Sequence, residues 1–275
     1  ITTMPRLESP PVALEYALTG PDDGTPIVLI RGLGTQMIEW SPRFIDALST
    51  AGFRVLTFDN RDVGLSGKAS ADYAIADMAA DVIRLLDVLA IPRAAIFGIS
   101  LGGMIAQHIA FDYPERVLAL FPVMTSSGDP DLPRPAPEVF ARLMQSASGR
   151  EASIALTAEN RAVFGSPAYP ESEALRLQAA ARAYDRCHDP EGVARQMRAV
   201  NADGSRTARL RGIRLPVCVI HGEDDPLIPV AAGRHVAACI PGARFEGIPG
   251  MGHNLPDALV PRLVACVRAF VEASR

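Results

Sequence analysis

Six short, continuously apolar runs recur along the chain: PIVLIRG (26–32), FRVLTFDN (53–60), AAIFGIS (94–100), VLALFPVM (117–124), PVCVIHG (216–222) and ARFEGIP (243–249). A strand with one wet face alternates polar and apolar residues, so runs this continuous suit strands buried on both faces of a parallel sheet. Helix-length stretches at 38–50, 75–90, 101–112, 230–240 and 257–273 lie between or after them. Alternation of this kind predicts βαβ units and hence the α/β class, with a doubly wound, mostly parallel sheet. A looser alternation around 11–19 is expected to be an antiparallel edge piece.

The rhythm stops between 128 and 212. GDPDLPRPAP brings four prolines, and only helical patterns follow it. Roughly 85 residues without a strand, inside a strand-rich chain, predict an inserted helical cap at 128–212 and a core made of 1–127 and 213–275. No internal repeat or low-complexity tract interrupts this plan.

Composition narrows the function classes. The chain has 275 residues, enough for a full core without staples, with 48% hydrophobic and 21% charged residues and a formal net charge of −4. No basic cluster of five or more occurs, and Arg176, Arg182, Arg186, Arg195 and Arg198 are interleaved with acids and alanines as on a solvated helical face. A nucleic-acid partner is therefore not expected. The four cysteines, Cys187, Cys218, Cys239 and Cys266, have no CxxC spacing, and three sit in apolar runs. They are expected to be small core residues in a reducing, cytoplasmic compartment. The start of the chain lacks a basic and an apolar leader region, and no apolar run nears the ~20 residues that span a bilayer. Neither HExxH nor paired-cysteine ligands occur, and GxxxxGK[ST] and a strand-to-helix GxGxxG are absent, so no metal and no cofactor are expected. The oligomeric state stays open.

Chemistry concentrates in AAIFGISLGGMIAQHIA (94–110), a buried strand, then Gly98-Ile99-Ser100-Leu101-Gly102, then a helix without a breaker until Pro114. So sharp a strand-to-helix turn forces Ser100 into a strained backbone and requires small neighbours. Its hydroxyl would project above the sheet, beside free N–H groups at a helix N-terminus that favour an oxyanion.

A serine hydroxyl needs a base, and the base an orienting acid. Of five histidines, His108 lies in the helix after Ser100, His188 in the cap, His221 at a strand end and His235 in the following helix; packed or surface roles suit them. His253 differs. It closes Gly250-Met251-Gly252-His253 directly after a strand, where a glycine-rich loop can place an imidazole over the carboxyl edge of the sheet, the usual place for sites in such sheets. The acid should leave the sheet between serine and histidine, and PVCVIHG runs into Glu223-Asp224-Asp225-Pro226. One of these three is the candidate; the others would be turn formers.

With those segments in view, the chain resembles the α/β-hydrolase superfamily over nearly its whole length, through LIRGLG, DNRDVGLS (59–66), GISLGG, HGEDDPLIP (221–229) and GMGH in that order. It is most similar to the bacterial carboxylesterases and polyketide methylesterases. The resemblance implies a serine esterase that forms an acyl-enzyme, with Ser100, Asp225 and His253 as triad and the N–H groups of Leu33 and Leu101 as oxyanion hole. Asp225 is the family's choice because it directly precedes Pro226-Leu227-Ile228-Pro229, and neighbouring side chains in an extended segment point apart, so Asp224 would face elsewhere. Arg61 to Ser66 matches the family's structural loop. The departure is Arg31-Gly32 where the family has His-Gly; arginine cannot accept a hydrogen bond, and an acid such as Asp59 or Glu39 is its expected partner.

A small-molecule ester is the expected substrate, bound between Ser100 and the cap, with Phe140, Leu143, Met144 and Phe164 as apolar walls and an uncharged, moderately hydrophobic group as cargo. Two other readings fit the same residues: a serine-dependent hydrolase of carbon–carbon bonds, and a non-catalytic small-molecule receptor on a hydrolase scaffold. Serine at position 100 excludes the aspartate-nucleophile branches.

Overall fold

The computed structural model describes residues 5–274; what was expected of residues 1–4 and 275 lies outside them. The chain runs β1 (Arg6–Leu7), β2 (Leu14–Thr19), β3 (Thr25–Ile30), α1 (Pro42–Thr50), β4 (Phe53–Phe58), α2 (Ile75–Val88), β5 (Ala94–Ile99), α3 (Leu101–Asp112) and β6 (Val117–Val123). Helices α4 (Pro137–Leu143), α5 (Arg150–Val163), α6 (Glu173–Arg186), α7 (Pro190–Asp203) and α8 (Thr207–Leu210) follow, before β7 (Cys218–Gly222), α9 (Val230–Cys239), β8 (Arg244–Ile248) and α10 (Val260–Ala273). All six apolar runs are strands. The sheet order is β1-β2-β4-β3-β5-β6-β7-β8, antiparallel at β1/β2 and β2/β4 and parallel elsewhere. The stretch expected as an edge piece is thus antiparallel but second in order, because β1 covers its outer side.

Both faces of the sheet are dry over β3 to β7, which explains five of the unbroken apolar runs; the sixth, ARFEGIP, forms the edge strand β8, where only Ile248 is buried. Val28, Ile30, Leu56, Phe58 and Ile96 point to one side, against α2, α3 and α9. Their neighbours Ile27, Leu29, Val55, Ala95 and Phe97 point to the other, against α1 and α10. The stretch 38–50 divides into a turn of 3-10 helix (Met37–Glu39) and α1, which begins at Pro42 in the first-turn position where proline is tolerated.

Between β6 and β7 the ladder is thin. Leu120 N–H donates to Pro216 and Met124 N–H to Ile220, but the residue midway is Pro122, which has no N–H to donate. The five helices leave the sheet between these two strands. Ile154, Ala158 and Ala180 of α5 and α6 form a small cluster of their own. Ala199 of α7 and Leu210 of α8 instead join the main core, so within 128–212 the packing changes allegiance between α6 and α7.

Candidate active site

Ser100 joins β5 to α3 with φ 54 and ψ −120, a conformation costing a non-glycine residue of order 1–3 kcal/mol. The glycines on either side of it have no room for a side chain. A Cβ on Gly98 would lie 2.1 Å from the carbonyl oxygen of Gly102, and one on Gly102 would lie 2.2 Å from that of Ile30. Ser100 N–H donates to Val123, and Thr125 Oγ1 donates to the Ser100 carbonyl at 2.8 Å, which ties the turn to the end of β6. The Ser100 hydroxyl makes no hydrogen bond to any described residue. Gly32 packs against it, since a Cβ there would stand 3.2 Å from Ser100 Cβ.

His253 and Asp225 meet directly. Asp225 Oδ2 lies 2.7 Å from His253 Nδ1, and the carboxylate is fully buried. Its other oxygen accepts the N–H groups of Leu227 (2.9 Å) and Ile228 (2.8 Å). Two backbone donors on one oxygen leave the second to the imidazole and hold it in place. Asp224 turns away, accepting the N–H of Gly250 at 2.7 Å, and so steadies the loop that carries the histidine. Glu223 lies on the surface, 3.4 Å from Arg234. A second histidine adjoins the acid: His221 is fully buried, 3.6 Å from Asp225, with Nε2 2.8 Å from the Ile228 carbonyl. Burial pushes its pKa down against the raising effect of that carbonyl and of Asp225.

The histidine loop rests on the chain just after α5. Phe164 carbonyl accepts the His253 N–H at 2.7 Å, Ala168 N–H donates to Gly250, and Ser166 Oγ accepts the Gly252 N–H at 2.9 Å. A Cβ on Gly252 would stand 2.2 Å from the Gly165 carbonyl oxygen. On the other side, the loop after β3 is tied to α6 and α7. The fully buried Gln196 accepts the Gly34 N–H at 2.9 Å and donates to the Arg61 carbonyl at 3.0 Å. Gln36 donates to the carbonyls of Ala183 and Cys187 and accepts from Arg186. These contacts brace a loop that lacks the expected histidine. Leu33 N–H, at its centre, has no partner among the described residues, and Leu101 N–H belongs to the free first turn of α3.

Comparison with known proteins decides the family. The alpha/beta hydrolase fold model matches residues 25–257. The chain belongs to the α/β-hydrolase fold family. RutD of Variovorax paradoxus (strain S110), which bears a carbamate-hydrolase name, is 34% identical over 90% of this chain and 92% of its own length. Rhodomycin D methylesterase DauP of Streptomyces sp. (strain C5) is 30% identical over 90% and 91%. Among solved structures, the enol-lactonase from Burkholderia xenovorans LB400 superposes with TM-score 0.78 at 26% identity, over 98% of this chain and all of that one.

Several residues of this hydrolase stand elsewhere than expected. Arg31 pairs with neither Asp59 nor Glu39: Asp59 is taken by Arg186 at 2.7 Å and by the N–H groups of Met37 and Leu65, while Glu39 accepts the Gln36 N–H at 2.7 Å and faces Arg161 at 3.8 Å. Arg186 and Arg195 are not on a solvated face. They reach inward to Asp59 and Asp62, both carboxylates fully buried. Of the wall candidates, Phe140 and Met144 are 52% and 54% exposed, Leu143 is half-buried, and half-buried Phe164 meets His253 through its backbone. A cavity of about 310 Å³ lies behind the histidine loop, bounded by Arg161, Gly165, Ser166, Asp224, Pro226 and Asn254; Ser100 is not among its walls. The bracing residues Gln196, Arg186 and Ser166 carry no local sequence signal, since each acts on a loop far away in the chain. His221 did carry one, the His-x-x-x-Asp spacing that returns its ring to Asp225.

Proposed function

We propose that this hydrolase cleaves a carboxylic ester through an acyl-enzyme, with Ser100 as nucleophile, His253 as base, Asp225 as orienting acid and the N–H groups of Leu33 and Leu101 as oxyanion donors. The observation that carries the reading is the 2.7 Å bond between Asp225 and His253 Nδ1, made over the same sheet edge at which Ser100 is held in its strained turn. With Nδ1–H donated to Asp225, Nε2 is left as the acceptor that can take the serine proton. Ser100 Oγ then bonds to the acyl carbon as the alkoxy group departs with that proton. Water repeats the sequence on the acyl-enzyme, forming the carboxylic acid and restoring Ser100. The helices of 128–212 would act as the cap over this edge. The esterase and lactonase names among the relatives support ester chemistry for the class.

The test is labelling with a fluorophosphonate followed by peptide mapping, beside turnover of p-nitrophenyl esters by Ser100→Ala. Labelling at Ser100, with turnover in the folded alanine variant reduced by several orders of magnitude, is the expected result. Labelling at another serine, or undiminished turnover in the variant, would overturn the reading.

A further inference from the structure

Around this site, four arginines are matched with carboxylates. Arg61 lies 2.7 Å from Asp81, Arg161 2.8 Å from Glu171, Arg186 2.7 Å from Asp59 and Arg195 3.0 Å from Asp62. Arg31, the residue before Gly32-Leu33, has no carboxylate within ion-pair distance among the described residues. The two acids that could serve it are committed elsewhere, Asp59 to Arg186 and Glu39 to Gln36 and Arg161.

What holds Arg31 also aims it. Its Nε donates to Thr35 Oγ1 at 3.3 Å, and that hydroxyl in turn donates to the Gly32 carbonyl at 2.9 Å. One face of the guanidinium lies over the buried Trp40 ring, 4.9 Å from its centroid. One edge and one face are thereby used. Nη1 and Nη2 form the remaining edge; they have no hydrogen-bond partner among the described residues, and neither is sealed from solvent. The side chain is only half-buried, yet loss of water around it lowers its pKa. The field of Glu39 offsets this only in part, because Arg161 lies near as well; a partly dehydrated cation with no direct carboxylate contact is a standing cost to the fold. Two parallel, unused N–H donors on a planar fork match a carboxylate. In the chain Arg31 immediately precedes Gly32, whose backbone packs on Ser100.

We infer that Arg31 binds a carboxylate carried by the substrate, so that the preferred ester has a free acid group as well as the bond to be cleaved. This rests on the ester-hydrolase reading and names its substrate class. It replaces the expectation of an uncharged cargo, whose proposed walls Phe140 and Met144 are more than half exposed.

The experiment compares monomethyl succinate, glutarate and adipate with methyl hexanoate, in the wild type, Arg31→Leu and Arg31→Lys. The wild type should favour at least one half-ester over the neutral ester. Arg31→Leu should lower that ratio about 10- to 100-fold, mainly through KM, as expected for a lost charged hydrogen bond; the lysine variant should keep part of the preference. Equal losses on both ester types would assign Arg31 a structural role and overturn the inference, as would a wild type that favours the neutral ester. Should Arg31→Leu fail to fold, glutarate still decides. Its binding to the wild type by calorimetry, falling as salt rises, supports the carboxylate site, and its failure to bind overturns it. That measurement needs no turnover, so a failure of the Ser100 reading would appear separately, in the labelling.

Discussion

On the β7–β8 side of the sheet the helical segment meets the core through main-chain groups and the short Ser166 side chain, whereas on the β3–β4 side it reaches in with long side chains. The histidine loop is held by the Phe164 carbonyl, the Ala168 N–H and close backbone approach at Gly165. The loops after β3 and β4 are held by Gln196, Arg186 and Arg195. The difference suits what each side must place. An imidazole that must meet Asp225 at 2.7 Å needs a chain path correct to within about half an ångström, and backbone contacts supply that with little freedom. The other side must bury Asp59 and Asp62, and buried carboxylates require cations that only long side chains can bring. Substitutions should therefore fail differently on the two sides, by lost turnover on the first and by lost stability on the second.

The largest effect expected is on turnover, at the acid. In Asp225→Asn the amide oxygen can still accept from Leu227 and Ile228, which turns the NH₂ toward His253. Nδ1 must then accept, so Nε2 carries the proton and cannot take one from Ser100. Turnover should fall about 10³- to 10⁴-fold with little loss of stability, by analogy with other triads. Asp224→Asn keeps an acceptor for Gly250 and should lose less than about tenfold. Steady-state rates of the two variants check the ranking, and its reversal would move the acid to Asp224.

Next comes stability on the opposite side. Arg186→Leu leaves the fully buried Asp59 without its cation and should cost about 3 kcal/mol or more. Ser166→Ala removes a neutral hydroxyl that accepts the Gly252 N–H and donates to the Asn254 side-chain oxygen; it should cost about 1–2 kcal/mol, with the larger proportional effect on kcat. Urea unfolding and kinetics measured on both variants test the contrast. If Ser166→Ala proves the more destabilising, the division between the two sides does not hold.

How much of this was legible in the sequence follows the range of each signal. The apolar runs found six of the eight strands; in β3 to β7 burial on both faces is written into consecutive residues, whereas β8, at the sheet edge, buries only Ile248. The strained turn at Ser100 and the meeting of His253 with Asp225 were legible because each residue sits in a short motif at the end of a run. Arg186 and Arg195 were misplaced because interleaved charges look the same on a solvated helix and on one that salts the interior. Gln196 has no local mark at all; its meaning comes from Gly34 and the Arg61 carbonyl, more than 130 residues away in the chain. Pro122 stood in plain sight within VLALFPVM, but its consequence for the ladder needed the partner strand.

The smallest effect expected separates the two sides by pH. His221 is buried on the β7–β8 side, with Nε2 against the Ile228 carbonyl, Nδ1 without a partner among the described residues and its ring packed on Gly233. Burial lowers its pKa, so the folded protein keeps it neutral where an unfolded chain would protonate it. Below the ordinary histidine value of about 6.5 the unfolded state therefore binds the extra proton, and stability falls as pH falls. On the β3–β4 side the sign of the shift favours the fold at the same pH. Burial would raise the Asp62 pKa, but hydrogen bonds from Arg195 and the Ala69 N–H outweigh it and leave it below its usual value. The stability from that pair is complete above about 3.9 and is lost only as pH falls through the lowered value. Between pH 7 and pH 5 the acid sensitivity should thus come from His221 and not from Asp62. His221→Gln should be less stable than the wild type at pH 7 yet lose less on acidification, the slopes differing by up to about 1 kcal/mol per pH unit. Urea midpoints at pH 7, 6 and 5 measure this. Parallel slopes in the two proteins would show that the proton uptake belongs to another group.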